Sequence, residues 1–227
     1  MKRILKKVPF FYLAYKKLQY RRLTRKNKLA GDSLLQSAST TELNRHPDIF
    51  NELNSRLSKE NIRVLSFGCS TGEECKSLSE YLPEAEIVGI DINKKSIEIA
   101  RSNYSSENVQ FVLKEPKNLN SLGKFDVIIA ISVLCKHPEA ELINDISSIF
   151  PFEKYESIVS ELDLILNKEG LLFIRSSNFR FKDTLISDQY EVVSWNNRNP
   201  EPFPKFDSNN VRLDAYEERE ELFRKKH

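Results

Sequence analysis

Short apolar runs alternate with helical segments from Ile62 onward, and this alternation constrains the fold more than any other feature of the sequence. The runs are apolar almost throughout, which is typical of parallel strands buried on both faces. The predicted strands are 62–67, 86–92, 109–114, 125–132 and 171–177, and the predicted helices are 72–82, 93–104 (capped by Asn93) and 154–166 (closed by Gly170). We therefore predict an α/β fold with a doubly wound, mostly parallel sheet of the Rossmann-like type.

Further segments flank this alternating region. Residues 46–57 have the pattern of a short helix, and residues 190–195 and 221–226 could form an antiparallel strand pair around a proline-rich loop at 199–206. We divide the chain into a basic helical N-terminal extension with a linker, residues 1–45, and one α/β domain, residues 46–227.

The N-terminal extension is strongly basic. Its first 30 residues hold eleven lysines and arginines and no acidic residue, which leaves 24 basic against 33 acidic residues in the remainder. Apolar side chains recur at steps of three and four, as on one face of a helix, at Ile4, Leu5, Val8, Phe11, Tyr12, Tyr15 and Leu18. Residues 1–28 could bind an anionic membrane surface or dock on the acidic remainder, and both are favoured over nucleic acid.

Several classes of protein do not fit the composition. The longest apolar run, residues 8–15, is far shorter than the roughly 18 residues of a membrane span. Three cysteines cannot all pair, which suits a reducing cytoplasm, and three scattered histidines predict no metal site. We expect a cytoplasmic protein, which could also associate peripherally with the inner face of the membrane. The sequence does not predict its oligomeric state.

The stretch LSFGCSTGEE, residues 65–74, joins a predicted strand to a predicted helix, and Asp91 ends the next strand. This layout is typical of a nucleotide site. A dinucleotide loop needs glycine at 68, 70 and 73, where the chain has Gly68, Ser70 and Glu73. A P-loop is disfavoured because no Gly-Lys-Ser/Thr follows. The G-x-S-x-G match to a nucleophile elbow lacks the preceding strands and the late histidine of that fold.

The two glutamates at the start of this helix also disfavour a phosphate, which prefers the positive end of a helix dipole. Glu73 and Glu74 suit S-adenosylmethionine, a nucleoside that has a sulfonium cation and an ammonium group but no phosphate. Asp91 could accept hydrogen bonds from both ribose hydroxyls. Glu115, just after the third strand, could contact the adenine edge.

Five segments in order, VLSFGCSTGEE, VGIDI, VQFVLKE, FDVIIAISVL and LNKEGLLFI, resemble the successive motifs of class I S-adenosylmethionine-dependent methyltransferases. The first segment is similar to that of chemotaxis receptor (protein-glutamate) methyltransferases. Ser66 and Ser70 replace the acid and the central glycine that are usual in the class I motif, and the resemblance implies that the receptor methyltransferases share this looser loop. The resemblance covers about residues 62–176. It implies that S-adenosyl-L-methionine is the cofactor. The predicted cofactor-binding residues are Phe67, Gly68, Cys69, Ser70, Thr71, Gly72, Glu73, Asp91, Ile92, Glu115, Ile131 and Ser132.

The acceptor end of the predicted site holds His137, which follows the fourth strand in SVLCKHPE. This histidine could take a proton from a hydroxyl acceptor as the methyl group arrives, or it could be a solvated loop residue. Arg45 and His46 could fold over the cofactor. The late proline-rich region could form a lid or pack in the core with Trp195, Arg198, Phe203 and Phe206.

The predicted function is methyl transfer from S-adenosylmethionine to an unidentified acceptor, with a hydroxyl of a sugar or lipid-linked glycan as the first hypothesis. Two alternatives remain open. The CSTGEE run is compatible with protein carboxyl methylation, and Ser66 and Ser70 are compatible with a methyltransferase-like binding module without turnover.

Overall fold

The computed structural model describes residues 41–57, 61–195, 203–214 and 221–227. Within these ranges, seven strands form one sheet in the order β3-β2-β1-β4-β5-β7-β6. The strands are β1 (Arg63–Phe67), β2 (Glu86–Asp91), β3 (Val109–Leu113), β4 (Phe125–Ile131), β5 (Leu166–Arg175), β6 (Tyr190–Val192) and β7 (Leu222–Lys225). The first five are parallel to one another, so their carboxyl ends meet at one edge of the sheet.

Helices cover both faces of this sheet. They are α1 (Pro47–Arg56), α2 (Glu73–Tyr81), α3 (Lys94–Tyr104) and α4 (Phe152–Ile165). Asn93 caps α3 as predicted, because its side chain accepts a hydrogen bond from the Ser96 amide at 3.3 Å.

Successive strand residues point to opposite faces and enter two separate cores. Leu65 and Ile128 pack in one core with α4, whereas Val64 and Val127 pack in the other with residues of α1, α2 and α3. Burial of these apolar side chains on both faces stabilises the layers. The predicted doubly wound, mostly parallel sheet is confirmed.

The C-terminal strand pair is also confirmed. Strand β7 lies between β5 and β6 and is antiparallel to both, with Phe223 opposite Leu172 on one side and Val192 on the other. This arrangement extends the sheet beyond its parallel part.

The predicted closure of helix 154–166 by Gly170 is wrong. Helix α4 ends at Ile165 and β5 begins at Leu166, which pairs with Phe125 of β4, so Gly170 lies inside the strand. A Cβ on Gly170 would lie 2.7 Å from the Asn167 carbonyl oxygen, which accounts for glycine at this irregular point in the strand.

The predicted N-terminal extension, residues 1–40 in particular, lies outside the described residues, so the domain boundary stays a prediction. The predicted short helix at 46–57 is present as α1. None of the helices in the described ranges has both the length and the apolar character needed to cross a membrane.

Candidate functional site

The loop between β1 and α2 turns sharply at Gly68. The Gly68 and Cys69 amides both donate to the Ile90 carbonyl oxygen, at 2.8 and 2.9 Å, which fixes the loop against the end of β2. Gly68 has a φ of +79°, and a Cβ there would lie 2.4 Å from Cγ2 of Val133. Glycine is therefore required both by the backbone conformation and by the close packing.

Gly72, the second glycine of the loop, also has a left-handed conformation, with a φ of +97°, and precedes α2. A Cβ there would lie 2.9 Å from Cζ of Phe111 and 3.0 Å from Cβ of Ala100. A side chain at position 72 would therefore clash, and the glycine allows the loop to pack on α3 and β3.

Asp91 holds the loop from the end of β2. Its Oδ2 accepts a hydrogen bond from the Ser70 amide at 2.9 Å, and its Oδ1 accepts one from the Asn93 amide at 2.8 Å. Burial raises the pKa of Asp91, and the backbone hydrogen bonds oppose this rise. Since each carboxylate oxygen has two lone pairs, Asp91 can accept further hydrogen bonds from a ligand beside the loop. Ile92 follows it in a half-buried position.

The two glutamates of the first turn of α2 have different partners. Glu73 accepts a hydrogen bond from the Thr71 hydroxyl at 2.7 Å, so it stays with the loop. Glu74 accepts one from the Ser66 hydroxyl, also at 2.7 Å, and so places a carboxyl beside the end of β1. Burial raises the pKa of Glu74 to about 7, against the lowering effects of the Ser66 hydrogen bond and the Arg45 charge.

The ends of β4 and β5 meet the same loop. Ile131 is buried, and the Ser132 amide donates to the Arg175 carbonyl oxygen at 2.9 Å. Ser132 has a positive φ of 55°, after which Val133 packs against Gly68. The predicted residues 67–73, 91–92 and 131–132 therefore lie along one edge of the sheet.

Glu115 occupies the rim of this edge. It is exposed and lies 2.6 Å from Nζ of Lys117 through its Oε2. The preceding residue, Lys114, donates its amide to the Asp91 carbonyl oxygen at 3.0 Å, which ties the end of β3 to the end of β2. A contact between Glu115 and the cofactor stays a prediction.

His137 lies in the segment that follows β4. Its Nδ1 is 3.2 Å from Oε1 of Glu141, and its ring packs on Phe203 with 5.8 Å between the ring centroids. Phe203 belongs to the late proline-rich region, whereas Phe206 is fully buried in the core. This region thus supplies one ring that packs on His137 and another that packs in the core. Trp195 packs edge-on against Phe173, and the remaining predicted lid residue, Arg198, lies outside the described residues.

The segment before α1 lies beside α2. The Asn44 amide donates to the Ser77 hydroxyl at 2.8 Å, and Tyr81 donates its hydroxyl to Oδ1 of Asn44 at 3.0 Å. Burial, followed by the charges of Arg175 and Arg45, lowers the pKa of His46 to about 4. Nε2 of His46 is buried without a hydrogen-bond partner among the described residues.

Sequence reasoning missed two features of this edge. It did not separate Glu74 from Glu73, although the small polar Ser66 eight positions earlier was a visible hint of a partner. It also missed the ion-pair triad in which Nη2 of Arg175, at the end of β5, lies 3.1 Å from both Asp48 and Glu221. No local sequence pattern signals this triad, because its three residues are far apart along the chain.

A family model described as "Methyltransferase domain" matches residues 58–212, which is more than half of the chain. The ubiquinone biosynthesis O-methyltransferase of Pelagibacter ubique is 28% identical over 143 residues, covering 60% of this chain and 51% of that protein. The malonyl-[acyl-carrier protein] O-methyltransferase of Bacillus anthracis is 33% identical over 73 residues, covering 32% of this chain and 27% of that protein.

The chain thus spans about half, or less, of the length of these curated relatives. Among solved structures, the plantazolicin methyltransferase BpumL in complex with SAH is 22% identical, with a TM-score of 0.43. That match covers 56% of this chain and 44% of the other. Because the TM-score and the identity are both low, this structural similarity adds nothing to the family match.

Proposed function

The chain belongs to the methyltransferase domain family, and from this premise we propose that it transfers a methyl group from S-adenosylmethionine to a hydroxyl oxygen. Membership of the family confirms the predicted domain type and S-adenosyl-L-methionine as the predicted cofactor. The acceptor in our proposal is a sugar, a glycan or another small molecule with a hydroxyl group.

One observation supports this proposal above the others, namely the loop that Gly68 and Asp91 build at the carboxyl edge of the sheet. Gly68 lets the backbone turn where no side chain fits, and Asp91 directs a carboxylate to the same place. The residues fit the cofactor: the Asp91 carboxylate suits ribose hydroxyls, and carboxylates at the start of α2 suit a cationic methionine end rather than a phosphate. The cofactor would supply an activated methyl group, and the chain would hold it and exclude water.

Oxygen as the accepting atom is supported by the relatives. Two of them are named as O-methyltransferases, one of ubiquinone biosynthesis and one of malonyl-[acyl-carrier protein]. The similarity of the first motif to chemotaxis receptor methyltransferases favours a carboxylate acceptor instead. A carboxyl methyl ester is cleaved by alkali, whereas a methyl ether is stable. Transfer from methyl-labelled cofactor, followed by alkaline treatment of the product, therefore separates the two acceptor classes.

Binding of the cofactor is tested by calorimetric titration with S-adenosylmethionine and its demethylated product, with NAD as the negative control. We expect Asp91→Ala to weaken binding by about 2–3 kcal/mol, because it removes a charged acceptor from a partly buried site. Glu107→Ala, an exposed change near the opposite end of the strands, should bind normally. Unchanged affinity in a folded Asp91→Ala protein would remove Asp91 from the site. Binding without any transfer would favour the non-catalytic alternative.

A further inference from the structure

A lysine of the late proline-rich region reaches the carboxyl edge of the sheet. Nζ of Lys205 donates hydrogen bonds to the carbonyl oxygens of Ser177 and Phe179, at 2.8 and 3.2 Å. Both carbonyls belong to the segment that follows β5, which ends at Arg175. Lys205 as a whole is half-buried, so its side chain is not sealed inside the core.

Lys205 has no carboxylate within ion-pair distance in the part of the chain that the structure describes. Glu221 and Asp183 act on it from farther away. Arg175 donates hydrogen bonds to the first of these carboxylates and Arg180 to the second. An ammonium group has three N–H donors, and the two carbonyl oxygens accept two of them. Among the described residues, the third donor and the positive charge of Lys205 therefore lack a partner.

This arrangement is unfavourable for the charged lysine. A cation that loses hydration without gaining an anion is destabilised. Burial accordingly lowers the pKa of Lys205 to about 8, and the nearby carboxylates and the Cys135 thiol oppose this change only in part. An anion bound at Nζ would offset the lost hydration.

A second lysine brings positive charge to the same region. The thiol of Cys135, in the segment that follows β4, is buried, and burial raises its pKa to about 12. The charges of Lys205 and Lys136 both oppose this rise, so both ammonium groups lie near the thiol, as does the carboxylate of Glu139. The segments after β4 and β5 thus carry lysines, whereas carboxylates such as Asp91 lie on the cofactor side of the edge.

We propose that Lys205 binds an anionic oxygen group of the methyl acceptor, either a phosphate or a carboxylate that is not itself methylated. The proposal rests on the proposed function and narrows its substrate class to hydroxyl compounds that also carry a negative charge. The anion accepts the third N–H of Nζ and supplies the missing counter-ion. Lys205 thereby selects and orients the acceptor and takes no part in bond making.

Attachment of the proline-rich region does not require this charge. The carbonyl oxygen of Asn178 accepts a hydrogen bond from the Phe206 amide at 2.9 Å, and its Nδ2 donates to the Pro204 carbonyl oxygen at 3.0 Å. Asn178 is fully buried and so already attaches the region to the end of β5. A lysine that only reinforced this attachment would not respond to an added anion, so the two roles predict different results.

Amide NMR of the full-length protein, titrated with inorganic phosphate and in parallel with acetate, tests the site without cofactor or acceptor. At pH 7 we expect saturable shifts at the amides of Phe179 and Lys205. Lys205→Met should raise the dissociation constant at least about tenfold, as for loss of a charged hydrogen bond. Lys168→Met, an exposed change at the other end of β5, is the matched control and should bind like wild type. The tighter of the two anions identifies the group that the acceptor carries.

The wild-type protein also provides a test that needs no substitution, should Lys205→Met fail to fold. Phosphate gains negative charge between pH 7 and 9, so an arginine would bind it more tightly at the higher pH. Lys205 loses its proton above about pH 8, so binding at this lysine should instead weaken about tenfold over the same range. The amide of Phe179, which is buried, reports the change. Phosphate binding that strengthens with pH would exclude Lys205 as the site.

Calorimetric titration with S-adenosylmethionine separates this proposal from the proposed function. Lys205→Met should bind the cofactor normally, and in the labelled-transfer assay it should raise the KM for the acceptor with little change in kcat. The anion site is overturned if neither phosphate nor acetate causes saturable shifts in wild type, or if Lys205→Met binds them as tightly. A wild-type protein that binds phosphate at Lys205 but not the cofactor would overturn the proposed function and leave the anion site standing.

Discussion

At the residue scale, Gly89 lies where β2 passes beneath two cysteines. A Cβ at this position would be 2.7 Å from Sγ of Cys75 and 2.9 Å from Sγ of Cys69. Both thiols are buried, and the pKa of Cys69 is raised well above its usual value by the hydrogen bond with Cys75 and by burial, so the thiol stays neutral. Both cysteines thus pack as small side chains against β2, and Gly89 leaves the space that they occupy.

Gly89→Ala should lower the free energy of unfolding by about 1–3 kcal/mol, the usual cost of overpacking a core. The Cys75→Ala change removes one of the two clashing sulfurs, so the double variant should lose less stability than the sum of the single variants. Chemical denaturation of the four proteins measures this coupling. Strict additivity would show that Gly89 and Cys75 do not share the space that the structure assigns to them.

Individual residues also show how far the sequence could be interpreted. The positive φ of Gly68 was predictable, because a sharp strand-to-helix turn selects glycine. Ser66 hints at a polar partner in α2, but the sequence does not show which of Glu73 and Glu74 meets it. Neighbouring residues of a helix point about 100° apart, and which of them meets Ser66 depends on how α2 is rotated over the sheet.

At the scale of elements, the ends of α1, β5 and β7 are joined by Arg175. Its side chain is 12% exposed, and its Nη2 lies 3.1 Å from carboxylates of Asp48 and Glu221. The guanidinium also lies over the ring of Trp195, at 5.1 Å from the centroid. Helix α1 is thus attached to the ends of β5 and β7 through a largely buried charge.

Arg175→Ala should lower the free energy of unfolding by about 3 kcal/mol, because it leaves two carboxylates facing each other without their partner. Hydrogen exchange should speed up first in α1, the element that Asp48 attaches. Arg224→Ala is the matched control, since it breaks an exposed pair with Glu191 and should cost at most about 1 kcal/mol. Equal losses in the two variants would contradict the special role of the triad.

The element boundaries show where local patterns stop being sufficient. Apolar runs located every parallel strand, because such strands are buried on both faces. The start of β5 was predicted at 171 but lies at Leu166, because pairing between Leu166 and Phe125 starts the strand before the glycine that appeared to close the helix. That pairing joins residues far apart in sequence, so no short-range signal reveals it.

At the scale of the whole molecule, the sheet order explains where the site lies. Chain connections run from β1 outward to β2 and β3 and then return to β4 on the other side of β1. Open α/β sheets bind ligands outside the carboxyl ends of the strands at which the strand order reverses, which here are β1 and β4. The alternating pattern predicted this site, whereas the insertion of β7 between β5 and β6 needed the structure.

The membrane or docking role of residues 1–28 stays a prediction, because that region lies outside the described residues.

Two groups at the N-terminal ends of α1 and α2, His46 and Glu74, make stability depend on pH in opposite directions. Glu74 has a pKa of about 7 in the fold against an ordinary 4.5, so the folded state holds the extra proton between these values and stability falls as pH rises. His46 has a pKa of about 4 against an ordinary 6.5, so the unfolded state holds the extra proton and stability rises with pH in that window.

Because these windows overlap, the two contributions nearly cancel in the wild-type protein, and single variants should separate them. Relative to wild type, Glu74→Gln should gain about 3 kcal/mol in the free energy of unfolding as pH rises from 4.5 to 7. His46→Gln should lose a similar amount, about 3 kcal/mol, as pH rises from 4 to 6.5. Urea denaturation at several pH values measures both slopes, and the difference from wild type removes the contribution of every other group. Curves that run parallel to wild type would show that neither group is held in the charge state that its burial imposes.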